Sequence, residues 1–243
     1  MILVIDVGNT QIKAAVFEED TMQFKEIISY SEWQNAIKII LNNFKNIHNI
    51  VVASVGKLSS ADFLNLNRNV KVTFISKTFN FPFRNLYETP ATLGIDRMVL
   101  ATGAVLQFPK INRLVIDAGT CITYDYIDSN NNYLGGAISP GIRLRYQSLH
   151  NYTAKLPLLT LEEPISIIGQ STIQSIHSGV VHGVVNEIDA FIEVFMAKNE
   201  NFIIILTGGD TDFLAKRLKN TIFANPNFLL ESLNQTFQFN QND

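Results

Sequence analysis

Two short stretches of this chain have the composition of phosphate-binding turns. The first is Asp6-Val7-Gly8-Asn9-Thr10, continuing into Gln11-Ile12-Lys13, and the second is Asp117-Ala118-Gly119-Thr120. A phosphate needs backbone N–H donors at close range, and glycine lets the backbone approach it. Asn9, Thr10 and Thr120 add side-chain donors. An aspartate beside phosphates can hold a cation, directly or through water. Taken singly, either stretch is equally well an ordinary hairpin turn, because Asp-Gly sequences commonly connect strands. Recurrence separates the two readings. Val4-Ile5-Asp6-Val7-Gly8 returns as Val115-Ile116-Asp117-Ala118-Gly119, close to half the chain later and again between apolar runs. Two related half-domains, each opening with a hairpin, would turn two such loops on one polyphosphate.

The elements that must carry these turns can be read from periodicity. Leu3–Ile5 and Ile12–Phe17 are apolar runs flanking the first turn and predict a strand–turn–strand unit. From Ser31 onward Trp33, Ala36, Ile37, Ile40, Leu41 and Phe44 recur at three- and four-residue steps, which predicts an amphipathic helix with Ser31 as its cap. Short strands are expected at Ile50–Ala53 and Val70–Ile75, with a short helix near Ala61–Leu66. A loop enters a helix between Thr92 and Phe108, and Pro109 stops it. The second turn is expected between strands Leu114–Ile116 and Ile122–Ile127. A third strand follows at Tyr133–Ile138, and Ser139-Pro140-Gly141 opens a helix with proline in its first turn. A long helix is expected over Ile173–Met196, bent or broken near Gly179 and Gly183. Phe202–Leu206 reads as a buried strand ending at Thr207-Gly208-Gly209-Asp210. One more strand around Thr221–Ala224 and a final helix complete the chain. Strands alternating with helices give an α/β fold.

Composition bounds the rest. The 243 residues are 47% hydrophobic and 17% charged, so the chain can bury a real core. A net charge of −3 without a long basic run disfavours nucleic-acid binding. The one cysteine, Cys121, cannot form an internal disulfide, which suits a reducing cytoplasm. It falls within a predicted strand and is expected to be a small buried residue. No signal peptide is expected from Met1–Asp6, and no apolar run reaches the ~18 residues of a membrane span. His48, His150, His177 and His182 lack metal-ligand spacing and are read as structural or surface residues. There is no G-x-x-x-x-G-K-S/T loop and no G-x-G-x-x-G fingerprint, which excludes the common nucleotide-binding alternatives.

The ordered set of motifs resembles the type III pantothenate kinases. Asp6–Thr10 with Lys13 resembles the family's first phosphate motif, Gly94-Ile95-Asp96-Arg97 its G-x-D-R motif, and Asp117–Thr120 with Asp125 its second phosphate motif. Gly135-Gly136-x-x-x-Pro140-Gly141, Thr153-Ala154-x-Leu156-Pro157, Gly169-x-Ser171-Thr172, Ser178-Gly179 and Thr207–Asp210 follow in the family's order. Two positions depart from it: Ile95 stands where a small residue is frequent, and Leu144 where methionine is expected. The resemblance implies two tandem ribonuclease H-like or actin-like domains, 1–112 and 113–243, with a nucleotide cleft between them. It implies transfer of phosphate from ATP to pantothenate, giving 4′-phosphopantothenate, the first step of coenzyme A synthesis. It further implies a cytoplasmic homodimer that needs Mg2+ or another divalent cation together with K+ or NH4+.

The same resemblance assigns roles. Read locally, Asp96 is a first-turn helix acid that the helix dipole favours. The family match makes it the general base for a primary hydroxyl. Arg97 becomes a partner for substrate oxygens or developing charge. Asp6, Val7, Gly8, Asn9, Thr10, Gln11, Ile12, Lys13 and Thr120 become nucleotide-binding positions. Asp6 is expected near the divalent ion and Asp117 at the monovalent cation. Tyr87, Gly94, Ile95 and Thr172 join Asp96 and Arg97 as substrate positions, with Thr172 expected to act on a neighbouring subunit's site. Two other readings stay open on the residues alone: a kinase or phosphatase for a different small metabolite, and a nucleotide-binding regulator without turnover.

Overall fold

The computed structural model describes residues 1–56, 58–63 and 70–241. The chain separates into two compact units. Unit 1 comprises Met1–Pro109, Asn131–Tyr133 and Asn227–Asp243, and unit 2 comprises Lys110–Asn130 and Leu134–Pro226.

Unit 1 is built on a five-stranded sheet. Its strands are β1 (Ile2–Val7), β2 (Ile12–Glu18), β3 (Thr21–Ile28), β4 (Asn49–Ser54) and β5 (Lys71–Phe74), in the order β3-β2-β1-β4-β5. β1 runs antiparallel to β2 and parallel to β4. Leu3 to Val7 are all buried, and a strand covered on both faces needs a continuous apolar run rather than an alternating one. β3 does alternate, with Met22, Phe24 and Glu26 more sheltered than Thr21, Gln23 and Lys25, as suits an edge strand with one covered face. Helix α1 (Trp33–Asn43) lays Trp33, Ile37, Ile40 and Leu41 into this core. Its cap is Glu32 rather than the expected Ser31, and no side chain caps it. Ser31 instead lies 3.0 Å from the Ser29 hydroxyl.

The rest of unit 1 leads to the G-x-D-R segment. The expected helix near residue 61 is α2 (Ser60–Phe63), and its Leu64–Leu66 part lies outside the described residues. A two-residue strand, β6 (Arg84–Asn85), and a single 3-10 turn at Pro90–Thr92 precede α3 (Ile95–Gln107).

Unit 2 contains β7 (Asn112–Ala118), β8 (Cys121–Ile127), β9 (Asn132–Pro140), β10 (Phe202–Thr207) and β11 (Phe223–Ala224), in the order β11-β10-β7-β8-β9. The first two residues of β9 group with unit 1, where they pair with β6. As in unit 1, the first strand pairs antiparallel with the second and parallel with a later one. Helices α4 (Ile142–Asn151), α5 (Thr172–Met196) and α6 (Thr211–Ala215) belong to this unit. Pro140 is the last residue of β9 and Gly141 is the cap of α4, so the proline does not lie in the helix's first turn as expected. α5 runs unbroken through Gly179 and Gly183. Its buried residues Ile176, Val180, Val184, Ile188 and Ile192 recur at helical spacing and hold it on the core.

The last helix, α7 (Phe228–Phe239), groups with unit 1, whereas the sequence division placed all of 113–243 together. Five of its apolar side chains, Phe228, Leu229, Leu230, Leu233 and Phe237, are buried. α7 packs on α3, where Gly103 leaves room for Ser232. Asn234 and Gln238 also donate to the Glu19 carbonyl in the β2–β3 turn, at 2.8 and 3.0 Å. Arg113, expected at a domain junction, is instead fully buried in β7, with Nη1 donating to the Asp128 carbonyl at 2.7 Å.

Candidate active site

The first turn is set by the β1–β2 register. Val7 pairs with Ile12, and the Gly8 N–H donates to the Gln11 carbonyl at 3.1 Å, so residues 8–11 form a closed loop. Asn9, Thr10 and Gln11 are exposed at its tip. Val7 and Ile12 are fully buried, so at this turn they present backbone rather than side chain. Asp6 is buried and lies opposite Lys13 in the strand pairing.

The G-x-D-R segment forms the start of α3. Gly94 is the N-cap, and a Cβ there would lie 2.3 Å from Asp96 Oδ1, so glycine is what lets the carboxylate fold back over the first turn. Asp96 Oδ1 accepts the Arg97 amide at 2.8 Å. Burial pushes the Asp96 carboxyl above the ordinary aspartate range, and the Arg97 amide and guanidinium pull it only partly back. Arg97 is buried, with its guanidinium 5.7 Å from the centre of the Tyr87 ring. Tyr87 in turn lies 6.2 Å from the Tyr133 ring. Tyr87, Asp96 and Arg97 are therefore brought together, and Ile95 is a core residue beside them.

In unit 2 three segments converge on the second turn. The Gly119 N–H donates to the Cys121 carbonyl at 2.9 Å, the Gly141 N–H to the Thr120 carbonyl at 3.0 Å, and the Asp210 N–H to the Ala118 carbonyl at 3.0 Å. Gly208 has φ +100°, and a Cβ there would meet both the Ala118 oxygen and Asp117 Oδ1 at 2.4 Å. A Cβ on Gly141 would lie 2.1 Å from the Gly119 oxygen. The glycines around this turn thus have a common cause, the close approach of neighbouring backbone. Asp117 is half-buried and Thr120 exposed. Cys121, expected to be buried, is exposed, because it is the first residue of β8 at the mouth of the turn.

Thr172 stands elsewhere in unit 2, as the exposed first residue of α5. It lines a cavity of about 880 Å³ with Arg145, Ser148, Gly169, Gln170, Ser171 and others. Arg145 is anchored there by Glu187 Oε2 at 2.6 Å and the Ser139 hydroxyl at 2.9 Å. Arg145 was assigned no role from sequence. Its helical neighbours Ser148 and Leu149, three and four residues on, were the available sign that it shares a face with the cavity. Asp210 was read only as the end of a glycine turn. It is buried, and burial raises its carboxyl while the Arg143 charge opposes the rise.

The sequence profile of the type III pantothenate kinases matches residues 2–194. The type III pantothenate kinase of Flavobacterium johnsoniae is 63% identical over 239 residues, covering 98% of each chain. Among solved structures, a Baf family protein from Campylobacter jejuni is similar with a TM-score of 0.61 and 21% identity, covering 99% of this chain and 100% of its own. A glucokinase from an Antarctic psychrotroph is similar at TM-score 0.51 and 11% identity, covering 100% and 99%. At these identities the structures speak for the fold alone, which is that of the actin-like ATPases and sugar kinases. The chain belongs to the type III pantothenate kinases, the family of kinases that act on pantothenate in coenzyme A biosynthesis.

Proposed function

We propose that this chain moves the terminal phosphate of ATP onto the primary hydroxyl of pantothenate, with Asp96 as the base. The arrangement that carries the reading is the start of α3, where a half-buried carboxylate of raised proton affinity sits beside a buried arginine. In this account the substrate hydroxyl gives its proton to Asp96 as its oxygen bonds to the γ-phosphorus. The bond from that phosphorus to the β,γ-bridging oxygen breaks, and ADP leaves. Phosphoryl transfer asks mainly for positioning and charge stabilisation, so a single base suffices. Arg97 supplies charge to substrate oxygens, and its stacking on Tyr87 fixes where that charge lies. The exposed tip of the first turn, Asn9–Gln11, is the proposed backbone contact for phosphate in unit 1.

A divalent ion bound with ATP neutralises phosphate charge. Such ions commonly take one or two carboxylates and complete their shell with phosphates and water. Asp6 would serve as that carboxylate without a larger ligand cluster, and no group of three metal-ligating side chains occurs among the described residues. Asp117, pressed against Gly208, is the proposed K+ or NH4+ residue. Thr120 is the proposed nucleotide contact in unit 2, and Thr172 a pantothenate contact.

A cytoplasmic homodimer belongs to the same proposal. Ile138, Leu158, Ile165, Ile167 and Ile168 are each more than half exposed, apolar side chains that a second copy would cover. Among the described residues no helix is long and apolar enough to cross a membrane. The test is ADP release by the purified protein with ATP, Mg2+ and pantothenate, in potassium and again in sodium. The proposal expects release that depends on pantothenate and on potassium. Release indifferent to pantothenate would reject the acceptor, and equal rates in the two salts would reject the monovalent site.

A further inference from the structure

The first phosphate turn is held from behind by two residues with no assigned role. β3 ends at Ile28, which pairs with Ile12, the first residue after the turn. Two residues on, the half-buried Tyr30 reaches the turn, and its hydroxyl donates to the Gly8 carbonyl. Close by, the N–H groups of Val55 and Gly56 donate to the Val7 carbonyl at 3.1 and 3.0 Å. These contacts meet at one point. A Cβ on Gly56 would lie 2.2 Å from the Tyr30 hydroxyl, 2.6 Å from the Gly8 oxygen and 3.1 Å from Val7 Cγ1.

The geometry of the amide gives this lock a consequence. The Gly8–Asn9 peptide bond is trans, so the carbonyl of residue 8 and the N–H of residue 9 lie in one plane and point opposite ways. Holding the Gly8 oxygen against Tyr30 therefore aims the Asn9 N–H away from Tyr30. It also keeps a carbonyl dipole from facing an incoming anion. A turn that binds phosphate through backbone N–H groups needs its peptide planes fixed in that sense. A flip of this plane turns ψ of Gly8 and φ of Asn9, and glycine and asparagine resist such a change less than other residues do.

We infer that Tyr30 and Gly56 are positioning residues that orient the first turn for nucleotide phosphates. The inference rests on reading Gly8–Gln11 as a phosphate-binding turn. Neither residue touches the nucleotide. Tyr30 acts through the Gly8–Asn9 peptide, and Gly56 acts by leaving space for the Tyr30 hydroxyl. Nothing in this lock bears on pantothenate.

The experiment compares wild-type protein with Tyr30→Phe and Gly56→Ala. MgATP affinity is measured by titration calorimetry without pantothenate, and KM for each substrate by ADP release. Tyr30→Phe removes one hydroxyl and keeps the ring, so it is expected to melt cooperatively like the wild type. Its MgATP Kd and ATP KM should rise about five- to tenfold, the scale of one hydrogen bond, with the pantothenate KM within about twofold. Gly56→Ala pushes a methyl into the same bond and should weaken MgATP at least as much. Unchanged MgATP affinity in both variants would overturn the inference and leave the kinase reading standing. Equal losses for ATP and pantothenate would mean general loosening, and would also overturn it. Wild-type protein that binds no MgATP would sink the phosphate-turn reading, and the inference with it.

Discussion

Asp96 is where the chemistry and the stability of this chain make opposite demands. Its proton affinity is raised by burial, so between the ordinary aspartate pKa and its own the folded state holds more protons than the unfolded state. Stability then falls as pH rises through that window, and above it the charged Asp96 is a cost. Asp96→Asn should therefore melt no lower than wild type at pH 7. As the proposed base, its loss should cut turnover by ~100-fold or more. A large fall in melting temperature alongside the lost activity would point to a structural aspartate. The same rise predicts that kcat/KM falls with acid at an apparent pKa above the ordinary aspartate value of 3.8, readable from a pH–rate profile. A profile flat down to that value would remove Asp96 from the proton transfer. At this scale the candidates Asp6, Asp96, Arg97 and Asp117 could be picked out because all stand in ordered motifs. Cys121 was misread because strand membership says nothing about which end of a strand meets solvent. Tyr30 carries no sequence signal at all, since its partner is a backbone oxygen.

Among the elements, glycines mark where backbones crowd. Gly208 combines φ +100° with a neighbour contact that no side chain could share. Gly208→Ala should cost about 1–3 kcal/mol of stability through strain. By pressing on Asp117 it should also raise the potassium concentration needed for half-maximal rate. A variant with wild-type melting and an unchanged potassium requirement would contradict the account. Gly103 does the same between helices. A Cβ there would lie 1.9 Å from the Ser232 hydroxyl oxygen and 2.6 Å from its Cβ. Gly103→Ala should cost about 1–3 kcal/mol by overpacking, seen as a melting temperature lowered by about 2–4 °C per kcal/mol. Unchanged melting would show that the α3–α7 contact yields. Strands with continuous apolar runs, such as β1 and β10, were readable because both faces are covered. β3 was not assigned, because an edge strand with Gln23, Lys25 and Glu26 in it hides its alternation among charges. The cap of α1 and the place of Pro140 were missed by one or two residues, where hydrogen bonding rather than residue type decides the boundary.

For the whole molecule, the repeat of Val-Ile-Asp-x-Gly predicted two related halves that each open with a hairpin, and the hairpins β1–β2 and β7–β8 lie in two separate sheets. What the repeat could not foretell is that the chain returns. α7 closes unit 1 from the far end of the sequence, because five apolar side chains and a glycine-made notch on α3 fit it there. Deleting residues 227–243 should therefore leave unit 1 unable to fold cooperatively, as measured by loss of a cooperative melting transition. Retention of full stability would show α7 to be dispensable. The homodimer proposal has its own test in a mixed assembly. Asp96→Asn and Thr172→Ala homodimers should each be weak, and mixing them should restore activity if Thr172 serves the partner's site, because one intact site survives. Absence of rescue would confine Thr172 to its own subunit or remove it from the site.

The most direct measurement is formation of 4′-phosphopantothenate from ATP, Mg2+ and pantothenate in potassium, followed by mass spectrometry for wild type and Asp96→Asn side by side. The account predicts product from the wild type and ~100-fold less or lower from a variant that binds MgATP and melts normally. Product formed at similar rates by both proteins, or no phosphorylated pantothenate from a wild type that binds MgATP, would contradict it.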